Sequence, residues 1–145
     1  MNAPDPSTDS TGSPLTNLLG IKPIHRGQGT SEVALTVDDR LLRNCPILHG
    51  GVTAALLDTA LGMAADTMAP PQRLTVTTQL NINFVRPAVS GDRLLATASV
   101  SHVGRQSIVA AGEVHAENDR LIATATATFL FAGNDNRATT AQETS

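Results

Sequence analysis

From Gly51 to Ala65 the residues GVTAALLDTALGMAA are mostly good helix formers, and Asp58 is the only ionisable side chain among them. A helix apolar on nearly all sides is a buried one, and Pro70-Pro71 closes the region. The segment LTVTTQLNINFV that follows alternates. Leu74, Val76, Thr78, Leu80, Ile82 and Phe84 fall on one face, and Thr75, Thr77, Gln79, Asn81 and Asn83 on the other. That pattern predicts one long strand with a single core face, ended by Pro87. Three further extended segments, 92–100, 107–117 and 121–131, are separated by turn signals at Ser90-Gly91-Asp92, Gly104 and Asn118-Asp119. Ahead of the helix, Ser31–Val37 reads as a strand with Val33, Leu35 and Val37 on one face, and Thr16–Leu19 as a short helical turn ended by Gly20. The predicted order is strand, buried helix, four strands. One long apolar helix with strands in hairpin sequence predicts an α+β fold in which a curved antiparallel sheet wraps around the helix.

Residues 1–14 are dominated by Pro, Ser, Thr, Asp and Gly, and residues 134–145 are polar without a period, so both are expected to be disordered tails around one domain spanning 15–133. A chain of 145 residues suits about one domain. Its 41% hydrophobic and 16% charged residues are too apolar for disorder throughout, and no run reaches the ~20 apolar residues of a membrane span. Ten Lys and Arg stand against 13 Asp and Glu, and aromatics make up 2% with no Trp or Tyr. Neither a basic phosphate-binding surface nor a base-stacking platform is on offer, which argues against nucleic acid as a partner. The lone Cys45 cannot form an intramolecular disulfide, and the first fourteen residues lack the basic and apolar regions of a signal peptide, so the cytoplasm is the expected compartment. His102 and His115 follow no metal-ligand spacing, and no metal is expected.

Candidate chemistry gathers at Asn44-Cys-Pro-Ile-Leu-His49-Gly50-Gly51-Val52 and runs on to Asp58. His-Gly-Gly at a loop-to-helix junction allows a substrate to approach the backbone closely and leaves amide N–H groups of the helix start unpaired. Such groups, with the helix dipole behind them, polarise a carbonyl or stabilise an oxyanion. Nine residues after His49, two turns into an apolar helix, Asp58 must find a partner or a task, because burying an unpaired charge is costly. A Cys45 nucleophile has no base implied at a useful distance.

These residues resemble the hotdog-fold acyl-CoA thioesterases, in particular the group with phenylacetyl-CoA and 4-hydroxybenzoyl-CoA thioesterases. The resemblance covers Leu18 to Phe131 and rests on HGGVTAALLDTALGMAA, LTVTTQLNINFVRPAVSGD and LLATASVSHVGR. It implies a hotdog fold and hydrolysis of an acyl-CoA thioester without a cofactor. Asp58 matches the family's carboxylate, general base or nucleophile. Gly50 matches the glycine whose N–H polarises the carbonyl, with Gly51 beside it at the substrate. His49 matches the histidine that orders the loop, and Thr77 a Ser/Thr position that helps hold the attacking water. The family's Asn or Gln lies six residues before the His, where this chain has Arg43; Asn44, five before, is assigned to the site in its stead. Arg86 and Arg105 are the expected contacts to the coenzyme, Arg105 ahead of Arg86, since a guanidinium suits phosphate. Leu56, Leu57, Met63 and Met68 are candidate linings for the acyl group.

One step needs only helix geometry. Gly50 and Asp58 stand eight residues apart, about 12 Å at 1.5 Å per residue, whereas a base works within about 3 Å of its proton. If both act on one substrate, the site is shared across a two-fold axis. The resemblance implies the same homodimer, often doubled to a homotetramer. Two other readings compete: a non-catalytic acyl-CoA-binding dimer of this fold, and a hydratase, against which stands Met63 where such hydratases carry a His five residues after the Asp.

Overall fold

The computed structural model describes residues 12–134, so residues 1–11 and 135–145 of the expected tails lie outside the described residues. The elements are α1 (Pro14–Leu19), β1 (Lys22–Gly27), β2 (Thr30–Thr36), α2 (Gly50–Asp66), β3 (Arg73–Phe84), β4 (Arg93–Val103), β5 (Ser107–Ala116) and β6 (Arg120–Asn134), with short turns of 3-10 type at Asp39–Leu41 and Glu117–Asp119. The six strands form one sheet in the order β1-β2-β4-β5-β6-β3, every neighbouring pair antiparallel. Helix α2 packs against all six strands. This is the hotdog arrangement of the α+β class. Among the described residues no helix is long and apolar enough to cross a membrane.

Helix α1 starts before the expected turn. Pro14 supplies a preset first helical residue, and the Ser13 hydroxyl accepts the Thr16 N–H at 3.1 Å, so both belong to the helix and not to a tail. At the other boundary Asn134 closes β6. Strand β1 is an addition to the expected order. Its residues KPIHRG show no alternation and all but Gly27 are exposed. Its one strand neighbour among the described residues is β2, with a register irregularity between Pro23 and His25, and proline is tolerated on such an edge.

Helix α2 lies where its composition sends it. Leu56, Leu57, Ala60, Leu61, Ala64 and Ala65 are fully buried, and burying each leucine stabilises the fold by roughly 1.5–3 kcal/mol. The strands facing it are lined by small residues, including Ala96, Ala98, Ala110, Ala125 and Ala127, which let the helix come close. At Gly112 a Cβ would stand 2.7 Å from the Thr97 carbonyl oxygen of the neighbouring strand and 3.3 Å from Leu61 of the helix. On β2 the buried Ser31 hydroxyl donates to the Ala60 carbonyl and ties that strand to the middle of the helix.

Strand β3 departs from its expected single core face. Its register against β6 steps from Thr77↔Phe129 to Gln79↔Thr128, leaving Thr78 as an extra residue. A one-residue bulge reverses the faces beyond it. Thr75 and Thr77 therefore share a face with buried Phe131 and Phe129, while Leu80 and Ile82 pack on the core from the same side. Leu74 and Val76, expected in the core, point outward at 42% and 45% exposure.

Candidate active site

The loop before α2 delivers His49 as its N-cap. Its backbone is extended, φ −63° and ψ 129°, and its Nδ1 accepts the Gly51 N–H at 2.8 Å. The ring bond thereby assigns one of the two glycine N–H groups, and Nε2 is left to carry the ring proton of the neutral form. A side chain on Gly51 would place a Cβ 2.9 Å from that nitrogen, which is why a glycine follows the cap residue. The Gly50 N–H has no acceptor among the described residues.

Gly50 opens onto a cavity of about 390 Å³. Its walls include Leu48, Thr53, Phe84 and Ile122, with Arg43 and Arg86 the charged residues among them. The cavity holds no acidic side chain and sits at a helix N-terminus, so its field is positive although the chain carries a net charge of −3. Two turns along α2, the half-buried Asp58 carboxylate accepts a hydrogen bond from the Thr77 hydroxyl at 2.8 Å. No other donor reaches that carboxylate among the described residues. Asp58 and Gly50 lie about 12 Å apart along the helix, so one chain does not bring carboxylate and free N–H together.

The remaining expected residues divide. Arg86 lines the cavity and gives one N–H to the Leu121 carbonyl at 3.1 Å. Arg105 sits in the β4–β5 turn, beside Gln106, whose carbonyl accepts from Phe131 at 2.9 Å. Leu121 and Phe131 are separated by the length of β6 between them, about 30 Å at about 3.3 Å per residue, so the two arginines occupy opposite ends of the sheet. Asn44 is exposed and does not line the cavity; Arg43, one residue earlier, does. The backbone explains the choice. Arg43 N–H bonds to the Ile47 carbonyl at 3.0 Å, and Leu42 bridges Leu48, so the loop folds back on itself at this register. Leu56, Leu57 and Met63 are core residues, and Met68 packs over Gly29, so none of the four lines this cavity.

Two lining residues escaped the sequence reading. Thr53, 3% exposed, lies one helical turn after Gly50 on the same face, a spacing that could have flagged it. Phe84, which the alternation had placed on the core face of β3, stands 3.4 Å from where a Gly50 Cβ would be and is 59% exposed, at the rim of the cavity and not in the core.

Fold and site together point to the hotdog class of thioester-cleaving enzymes, and comparison with known proteins agrees. Residues 46–123 match the thioesterase superfamily. Acyl-coenzyme A thioesterase PaaI of Escherichia coli (strain K12) is 33% identical over 119 residues, 82% of this chain and 79% of that protein. The solved structure of E. coli PaaI, from the phenylacetic acid degradation operon, has a TM-score of 0.80 at 29% identity, covering 85% of this chain and 87% of that one. Medium/long-chain acyl-CoA thioesterase YigI of Salmonella typhimurium is 31% identical over 132 residues, 81% of this chain and 84% of the relative. The structure of smu.793 from Streptococcus mutans UA159, bound to acetyl CoA, has a TM-score of 0.73 at 26% identity over 79% of this chain and 90% of that one. The chain belongs to the thioesterase superfamily and is a thioester hydrolase.

Proposed function

We propose that the protein hydrolyses the acyl-CoA thioester of a small aryl or medium-chain acid, at sites shared by two copies of the chain. Gly50 N–H from one copy polarises the thioester carbonyl. Asp58 from the other takes a proton from the attacking water, or itself attacks the carbonyl carbon. In either course the tetrahedral oxyanion collapses, the C–S bond breaks, CoA leaves as thiolate, and the acid is released after water has added. No cofactor is called on. His49 acts on the loop, holding Gly51 so that Gly50 stays free, and Thr77 orients the carboxylate.

The observation that carries this reading is the Asp58 carboxylate, half-buried in the middle of α2 and, among the described residues, held by Thr77 alone, with a Gly50 N–H that has no acceptor among them eight residues earlier. Its distance from Gly50 calls for a second copy. The free edge of β3, twelve residues long and unpaired on its outer side among the described residues, supports one, since such an edge is a template for another strand. The separation of Arg86 from Arg105 has the same sense: they can meet one coenzyme only from different copies. A homodimer meets these demands, and a dimer of dimers keeps them. Arg43 lines the cavity of one chain and Asn44 does not, so Arg43 is the loop residue placed to meet the substrate there. The acyl class follows the phenylacetic acid degradation operon of the E. coli PaaI structure and the medium/long-chain substrates in the name of YigI, and the lone Cys45 fits the cytoplasm.

Release of free thiol from aryl, short, medium and long acyl-CoA substrates tests the reading, with wild type and Asp58→Asn side by side. Cleavage by the wild type with a loss of about 100-fold or more in the variant is expected. Cleavage untouched by the substitution would remove Asp58 from the mechanism. Tight binding of a non-hydrolysable analogue with no cleavage of any substrate would shift the protein to the acyl-CoA-binding class.

A further inference from the structure

We propose that Thr78 is a positioning residue for this hydrolysis: as the extra residue of the β3 bulge, pinned by its hydroxyl to the Thr128 carbonyl, it turns Thr77 toward Asp58. The inference rests on the reading of Asp58 as the reacting carboxylate.

The face of β3 beyond the bulge is set by Leu80, Ile82 and Phe84, opposite Ala127, Ala125 and Ala123 of β6. Carried back without interruption, that alternation points Thr78, Val76 and Leu74 at the helix and Thr77 away from it. It is also the arrangement favoured by hydrophobic burial, since Leu74 and Val76 would then be covered. The protein adopts the other one. With Thr78 inserted between the pairs Thr77↔Phe129 and Gln79↔Thr128, Thr77 reaches Asp58 at 2.8 Å, and Thr75 likewise donates to Asp66 at the C-terminal end of the same helix. Leu74 and Val76 stay 42% and 45% exposed in exchange. A bulged residue has no cross-strand partner, and the ladder is locally disrupted around it. Here the Thr78 hydroxyl donates to the Thr128 carbonyl at 3.1 Å, across the gap that the bulge opens. Threonine at this position thus locks the register that the carboxylate depends on, without touching the carboxylate.

The test compares kcat and KM on an acyl-CoA that the wild type cleaves, for Thr78→Val, Thr78→Ser, Thr77→Val and the Thr77→Val/Thr78→Val pair, with Asp58→Asn as reference. Thr78→Val is expected to lower kcat about tenfold with KM within about twofold and an unchanged melting temperature, because small misplacements of reacting groups cost rate. Thr78→Ser keeps the hydroxyl and is expected to retain wild-type kcat. In the Thr77→Val background Thr78→Val should cost nothing further, since a residue that acts through another is non-additive with it. Should Thr78→Val not fold, Thr78→Ala is read in its place. Wild-type kcat for Thr78→Val, equal losses for the Ser and Val variants, or additive losses at positions 77 and 78 would each overturn the role of Thr78 while an inactive Asp58→Asn leaves the proposed function standing. A fully active Asp58→Asn would overturn the proposed function, and this role with it.

Discussion

His49 and Gly51 work as a pair. The imidazole takes up the second N–H of the helix start, and the absence of a Cβ on Gly51 is what lets the ring sit there. Gly51→Ala is therefore expected to displace the ring, to cost about 1 kcal/mol of stability through the lost cap, and to lower kcat, as read by thermal melting and thiol release. Gly50 allows a cleaner substitution. It occupies the first helical position after an extended His49, where proline is well accommodated by the backbone, so Gly50→Pro removes the N–H while adding a ring beside Phe84, and Gly50→Ala, which adds a Cβ but keeps the N–H, is the control for bulk. The proline variant should melt like the wild type and lose about 100-fold or more in kcat, the scale of a deleted oxyanion donor. His-Gly-Gly and Asp58 were visible in the sequence because each is unusual in its place: glycines at a helix start, a lone charge on an apolar helix. Arg43 was not. Which of two adjacent loop residues meets a cavity depends on the Arg43–Ile47 backbone bond, and no spacing rule contains it.

Among the elements, α2 and the hairpin strands were legible because period and turn residues are local. Gly112 was not singled out, yet it leaves no room for a side chain between the neighbouring strand and the helix. Gly112→Ala would press a Cβ against the backbone oxygen of Thr97, which cannot rotate away, and against Leu61. Overpacking of this kind costs about 1–3 kcal/mol, so the urea midpoint should fall with little change in slope. Strand β1 escaped notice because it buries almost nothing. Its existence depends on β2, whose own pattern of alternate buried residues Ser31, Val33 and Leu35 is plain. Strand β3 shows the opposite failure. Its alternation is clear and was followed through to Phe84, but the bulge at Thr78 arises from pairing with β6 and reverses the faces halfway.

At the scale of the whole molecule, the proposed site is completed by a second copy of the chain. A shared site makes a sharp expectation for mixed chains. Asp58→Asn and Gly50→Pro should each be inactive alone. Reassorted at random, half of the dimers carry one chain of each kind, and each mixed dimer rebuilds one of its two sites, so about a quarter of wild-type activity should return. Sites formed within single chains would return none. The arginines are subject to the same logic: by itself the sequence offers two candidates for the coenzyme, and the sheet puts them about 30 Å apart. What the sequence by itself determined was the class of fold, the buried helix, the motif at its start and the carboxylate two turns on. Those follow from periodicity, from the special residues a turn or cap requires, and from the cost of an unpaired charge, all of which act over a few residues. Only the tertiary structure decided the added edge strand, the face of β3 before Thr78, the Arg43 lining and the pairing of Thr77 with Asp58. Each of these depends on which segment lies alongside which, and strands distant in sequence impose that choice through register and packing.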